Sequence, residues 1–391
     1  MSPKLLKKLG LIIGIFVGII VILFLFASCS KGGSSSKIKT IRTDMVQYAY
    51  KYYQKKENQD DLPQDDGSTT SITLKKLIEA GYMSEPNEAF NDESIKCSGE
   101  VVIENNNGHY LYTPLIECKS DKKDNNVTSI TLRDKLIEDQ LVETSVGLYA
   151  MGNTYVERGE VENNYLKIDE NLYRIVRIND DGTIRLTTAK AVNNVRWDDR
   201  YNIEQKNNNG INDYIYNDIN SRINERLIEV YNDQTDKLKS YITTQSLCIG
   251  KRSAADTTKD GSTECSQTVR TQLGSFAVYE YLQASLDKEC ELPDSSSCLN
   301  YNWLGDKTIH GWTITADAET NYKAFQLNGT CDLKICSSTK NVYPVFNISS
   351  NVLYKSGTGT KEDPYIIKYF PVGEEYEKAK KEDKKNKNSD N

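Results

Sequence analysis

The start of the chain restricts it most: Lys4, Lys7 and Lys8 precede an uncharged run from Leu9 to Ala27. A run of this length approaches the roughly 20 apolar residues that cross a bilayer as a helix. A positive segment ahead of an apolar one keeps the N-terminus inside and directs the remainder of the chain outward. Cys29 and a Lys-Gly-Gly-Ser-Ser-Ser linker ending at Ser36 come next. The body of the chain is therefore expected on the extracellular face of the cytoplasmic membrane, held there through residues 1–36.

Cysteine spacing fits that compartment. There are nine cysteines. With Cys29 set aside, the other eight fall as local neighbours: Cys97 and Cys118, Cys248 and Cys265, Cys290 and Cys298, Cys331 and Cys336. Four disulfides are expected, since an oxidising exterior favours them. None of these spacings is that of a Cys-x-x-Cys zinc site, and the chain has two histidines, so no metal and no other cofactor is expected.

At 391 residues the chain is long enough for two or three domains of about 150 residues each. A net charge of −7 with no basic face visible in the sequence argues against a nucleic-acid partner. Hydrophobic residues recur at three and four between Lys37 and Lys56, which predicts an amphipathic helix. Ser71 to Gly81 reads as a short helix stopped by its glycine. Residues 99–118 read as a hairpin turning at Asn105-Asn106-Asn107-Gly108. The polar stretch 119–130 reads as a linker, and TLRDKLIEDQ after it as a helix.

The larger part, 131–373, opens on two predicted strands within 164–186, joined at Asn179-Asp180-Asp181-Gly182. Ile215, Ile219, Ile223, Leu227 and Val230 predict a helix of about four turns. Ser275 is placed to cap a second helix, FAVYEYLQAS. Strands are expected at Asn300–Leu304, Gly311–Ala316, Tyr343–Ile348 and Tyr365–Tyr369. Residues 374–391 hold almost nothing apolar and are expected to be disordered.

Three resemblances add to this reading. Phe26-Ala27-Ser28-Cys29 resembles the lipobox of bacterial lipoproteins, which implies lipidation of Cys29; an uncleaved signal anchor remains the alternative. Residues 37–118 resemble pilin-like proteins in layout, a helix on an antiparallel sheet. The Gly-Phe and following Glu that direct prepilin processing are missing before the apolar run. The segments YRIVRINDDGTIRLT, YEYLQAS, YNWL, GWTIT, YPVFNI and GTGTKEDPY resemble, in order and spacing, the motifs of a surface-domain family of low-GC bacteria. That family in turn is similar to the C-type-lectin-like fold shared with formylglycine-generating enzymes. The fold class so implied is α+β: an N-terminal membrane helix, a small helix-plus-hairpin module and a larger lectin-like module. The copper chemistry of formylglycine-generating enzymes is not implied, because each body cysteine has a near neighbour suited to a structural disulfide.

No catalytic residue is expected. His109 and His310 sit in no recognisable motif; Asp198-Asp199 and Glu289/Glu291 lack calcium-loop spacing; no glycine loop suits a phosphate. Binding remains, and the candidate contacts are Asn302, Trp303, Asp306, His310 and Trp312, where amides and a carboxylate stand beside aromatic rings. Core packing is the competing role for both tryptophans. The expected function is a surface-anchored, non-catalytic binding or adhesion protein whose partner is a glycan or a protein on a wall or neighbouring cell. A cell-envelope enzyme acting on wall polymers and a minor pilin-like assembly subunit are the alternatives.

Overall fold

The computed structural model describes residues 37–120, 127–306 and 308–389. The Leu9–Ala27 run and Cys29 lie outside them, and with them the expectations of a membrane helix and of lipidation. Among the described residues no helix is long and apolar enough to cross a membrane. The architecture is mixed α+β.

A helix over 37–53 begins the small module and buries Ile38, Ile41, Met45, Ala49 and Tyr53. That stripe packs on a four-stranded antiparallel sheet in the order Thr69–Thr73, Lys96–Asn106, His109–Lys119, Val127–Thr128. The hairpin turns at Asn107 and Gly108, both at positive φ (54° and 84°), as a two-residue primed turn requires. Register then sets Cys97 opposite Cys118, and the two are bonded. The helix expected from Ser71 starts later, at Leu74–Glu79, because Thr69–Thr73 pairs with Glu100–Glu104 as an edge strand. Thr73 Oγ1 caps it by accepting from Lys76 N at 3.1 Å. The expected linker is partly structured, since Val127–Thr128 is the fourth strand.

The large module is built on two sheets. The first runs Ile242–Thr243, Val345–Ile348, Ile184–Thr188, Asn171–Ile178, Tyr165–Ile168, Tyr365–Ile367, Tyr354–Ser356, with the Gly147–Met151/Thr154–Arg158 hairpin joining beside Asn171–Ile178. The second runs Val192–Arg196, Thr339–Val342, His310–Ala316, Lys323–Asn328, Thr330–Ile335. Helices Leu132–Gln140, Arg222–Asn232 and Val278–Ala284 cover them. Arg185 of the first sheet and Glu280 of the last helix form a buried bidentate pair at 2.5 and 3.0 Å, with Gln245 taking a third guanidinium donor. The YRIVRINDDGTIRLT and YEYLQAS segments are thereby fastened to each other inside the core.

Several expectations are corrected. The 164–186 stretch holds three strands, not two, because Asp169 at φ 52° opens an extra turn before Asn171. The four-turn helix is shorter: Asn217 and Asp218, both at positive φ, fold Ile215–Tyr216 back on Ile219–Asn220, and the helix starts at Arg222. Ser275 does not cap its helix; its hydroxyl donates to Trp312 O at 2.9 Å, and Glu280 reaches back to Ala277 N instead. Trp303–Gly305 is a single 3-10 turn rather than a strand. The charged tail is helical over Gly373–Ser389, with Glu374 and Glu375 in its first turn, where the helix dipole favours acids. Lys and Glu, both strong helix formers, fill it.

Three of the four expected disulfides are present, Cys97–Cys118, Cys248–Cys265 and Cys290–Cys298. Cys331 and Cys336 are free and buried. Cys331 lies within the extended strand Thr330–Ile335 and Cys336 directly after it, and residues spaced at about 3.3 Å each hold their α-carbons far beyond the roughly 7 Å limit for a bridge. Each thiol enters a different core, Cys331 beside the Cys290–Cys298 cluster and Cys336 in the main one. Burial pushes both well above the usual thiol range.

The two modules touch through apolar groups, with Leu111 of the small sheet in the main core and Phe370 against the small one, and through polar groups. Glu104 of the small sheet accepts from Ser349 Oγ at 2.5 Å and Asn351 Nδ2 at 2.9 Å, while Asn106 Nδ2 donates to Ser240 O at 2.7 Å. Burial raises the Glu104 carboxyl above its ordinary range.

Candidate functional site

The Tyr165–Ile168 and Asn171–Ile178 strands are in antiparallel register with Tyr165 opposite Arg174. Cross-strand neighbours lie within side-chain reach, so the Arg174 guanidinium settles 5.0 Å from the Tyr165 ring centroid. It also lies over the Trp303 ring, 4.3 Å from its centroid. The guanidinium is fixed by hydrogen bonds from Arg174 Nε to Asn164 Oδ1 (2.9 Å) and from Nη2 to Val161 O (2.7 Å). Burial pulls the Arg174 pKa down, with Tyr165, Glu157 and Asp306 opposing that shift. Arg174 Nη1 makes no hydrogen bond among the described residues.

Trp303 is held from three directions. Its N–H donates to Gly159 O at 2.9 Å, its indole Nε1 donates to Glu157 O at 3.2 Å, and Phe276 meets the ring edge-on at 6.2 Å. Asn302 sets the turn: Oδ1 accepts from Leu304 N at 3.0 Å, while Nδ2 donates to Tyr281 O (3.0 Å) and Cys298 O (2.8 Å). Asn302 therefore positions the tryptophan and has no donor left for a ligand.

Around this floor opens a pocket of about 650 Å³, whose rim carries Glu160, Glu162, Asp306, Lys361 and Glu362. The wall holding Lys361 and Glu362 is the GTGTKEDPY turn. Gly359 sits there at φ 85°, and a β-carbon on it would lie 2.1 Å from Asn163 O, so no larger residue fits. Its carbonyl accepts from Tyr165 N at 2.7 Å, which ties the turn to the strand bearing the stacked tyrosine.

Behind Arg174 stands Glu157, fully buried. Neither carboxyl oxygen has a hydrogen-bond partner among the described residues. Desolvation raises its pKa to about 8 against the pull of Arg174, so the acid is neutral at pH 7.

Of the five expected contact residues, the pocket brings together Asn302, Trp303 and Asp306. Asp306 is exposed, with Oδ1 accepting from Thr308 N at 2.8 Å. Trp312 is elsewhere: it is core, with Nε1 donating to Val195 O at 3.0 Å. His310 is exposed outside the pocket, its Nε2 2.9 Å from Asn341 Nδ2. Trp303 itself is 3% exposed, too covered to serve as an open stacking platform. Sequence pattern alone does not single out Arg174, Tyr165 and Lys361, although the YRIVRI and GTGTKEDPY segments stand at or beside them. No group of His, Cys, Asp and Glu among the described residues is arranged to hold a metal ion.

The chain matches no known family model, no curated protein and no solved structure.

Proposed function

We propose that this is an extracellular binding protein, anchored at the membrane through residues 1–36, whose large lectin-like module takes a glycan in the Arg174–Trp303 pocket. The observation behind this reading is the guanidinium held against both the Tyr165 and Trp303 rings at the floor of a polar pocket. A planar cation fixed in this way offers donors in a set direction to hydroxyl oxygens. Carboxylates on the rim accept from the same hydroxyls, which act as donor and acceptor at once. Four rim carboxylates against Arg174 and Lys361 disfavour an anionic ligand and favour a neutral or amino sugar. The groups are held for recognition: no histidine lines the pocket, and Glu157 is shut off from it.

The test is a glycan array probed with the full-length chain and with Arg174→Ala. Retention of the native chain on neutral or amino glycans, lost in the variant, is the expected outcome. Retention by no glycan, together with release of fragments from a wall polymer, would overturn the binding reading in favour of an envelope enzyme.

A further inference from the structure

A second cavity, of about 1150 Å³, lies between the 37–53 helix and the Tyr165–Ile168, Tyr354–Ser356 and Tyr365–Ile367 strands. Six cations line it, Lys39, Arg42, Lys167, Lys237, Lys355 and Lys368, against one carboxylate, Asp169. Two of the six are neutralised: Lys167 pairs with Glu170 at 3.1 Å, and Lys237 pairs with Asp169. The other four have no carboxylate partner among the described residues. Arg42 is 6% exposed; its Nη2 donates to Ser129 Oγ at 3.0 Å, and its Nε has no partner. Burial, then the charges of Arg42 and Lys355, push Lys368 down to about 8. Packing like charges together without a counter-ion works against folding, all the more conspicuously in a chain of net charge −7.

We propose that this cleft is a binding site for a phosphate ester, held by Lys39, Arg42, Lys355 and Lys368. Arginine and several lysines around one cavity suit a group with three or four acceptor oxygens and a localised negative charge. Ile168, Ile367 and Phe370 also line it, so a ligand with an apolar body beside its phosphate finds apolar surface there. An anionic lipid headgroup has both parts. Lys39 and Arg42 lie in the first two turns after the linker ending at Ser36, and in this respect the assignment rests on the anchor reading, which sets the cleft at a bilayer surface. A soluble phosphate monoester shares the polar chemistry and is separated from the lipid by experiment.

The full-length chain in neutral detergent is titrated with dihexanoyl phosphatidylglycerol, with glycerol 3-phosphate, and with dihexanoyl phosphatidylcholine as the zwitterionic control. Acetylation rates of Lys355 and Lys368 are read by peptide mass spectrometry, and unfolding midpoints are read alongside. At a ligand concentration four times Kd, acetylation should slow about fivefold and the midpoint should rise. Lys355→Gln/Lys368→Gln should remove the rise while leaving the unliganded midpoint equal or higher, since repulsion is relieved. Arg174→Ala should keep both effects, so that failure of the sugar pocket and failure of this site remain distinct. Protection by the phosphatidylglycerol, with or without glycerol 3-phosphate, assigns a lipid headgroup; protection by glycerol 3-phosphate alone assigns a soluble phosphate ester. Protection by neither, or an undiminished midpoint rise in the double variant, would overturn the proposal.

Discussion

Replacing Glu157 with Gln tests whether the floor of the pocket rests on a neutral acid. In the folded chain this carboxyl is buried, without hydrogen-bond partners among the described residues, and titrates at about 8; unfolded it titrates near 4.5. Between those values the native state keeps a proton that the unfolded state has lost. The contribution is thus fully present below pH 4.5 and is lost as pH rises through the folded value. At about 1.4 kcal/mol per pH unit, the whole window amounts to about 5 kcal/mol. Glutamine has nearly the same shape and does not titrate, so Glu157→Gln should match the native chain within a pH-independent offset near pH 5. By pH 9 it should be more stable by about 4 kcal/mol relative to that offset, since a little of the window is already spent at pH 5. Urea unfolding followed by tryptophan fluorescence is the assay, because Trp197, Trp303 and Trp312 all lie in the large module. If the difference between variant and native chain does not change from pH 5 to pH 9, Glu157 is not a buried neutral acid and the account of the pocket floor is wrong.

Glu280→Ala should destabilise the large module by about 3–5 kcal/mol in the same assay, since it leaves the Arg185 charge buried without its counter-ion; a loss below about 1 kcal/mol would contradict this. Alkylation of native protein should leave Cys331 and Cys336 unmodified, and alkylation after denaturation without reductant should modify both. A peptide pair cross-linked through these two cysteines would disprove the assignment. Asn302→Ala should lower stability by about 2–4 kcal/mol and abolish glycan retention together, because it orphans three backbone groups that fix Trp303. Retention unchanged in a folded Asn302→Ala chain would show that Trp303 needs no such support.

How far the sequence revealed this structure depended on how far apart the interacting residues lie. Cys97 and Cys118 were legible as partners because a two-residue turn mirrors them across one ladder. Cys331 and Cys336 are closer in sequence, yet an extended strand separates what spacing seemed to join. The period-four isoleucines from Ile215 imitated a helix until Asn217-Asp218 took left-handed geometry, which Asn and Asp tolerate better than most residues. Lys and Glu in the tail satisfied a composition rule for disorder and also a propensity rule for helix, and the helix prevailed in the structure. At the site, Trp303 was found by residue type alone. Arg174 could be recognised only once the turn at Asp169 set it opposite Tyr165. The basic cleft was invisible in the sequence, for its cations come from five separate stretches between Lys39 and Lys368.

The two cavities share a strand, and that makes their independence measurable. Tyr165 lines the Arg174–Trp303 pocket and Lys167 the basic cleft, on the same face of Tyr165–Ile168 and about 7 Å apart along it. Tyr365 pairs with Leu166 and Ile366 with Lys167, so Lys368 lies further along the same parallel pair, beyond Lys167 and away from Arg174. Arg174 and Lys368 therefore have no common hydrogen-bond partner, and the one strand between them, Tyr165–Ile168, is tied on both edges. Substitutions at separated sites of this kind add to within about 0.5 kcal/mol. Combining Arg174→Ala with Lys368→Gln should leave each binding defect equal to that of the single variant, measured as glycan Kd and phosphate Kd in the same preparation. A larger coupling would mean that one ligand reaches both cavities, and the proposal of two separate sites would have to be abandoned.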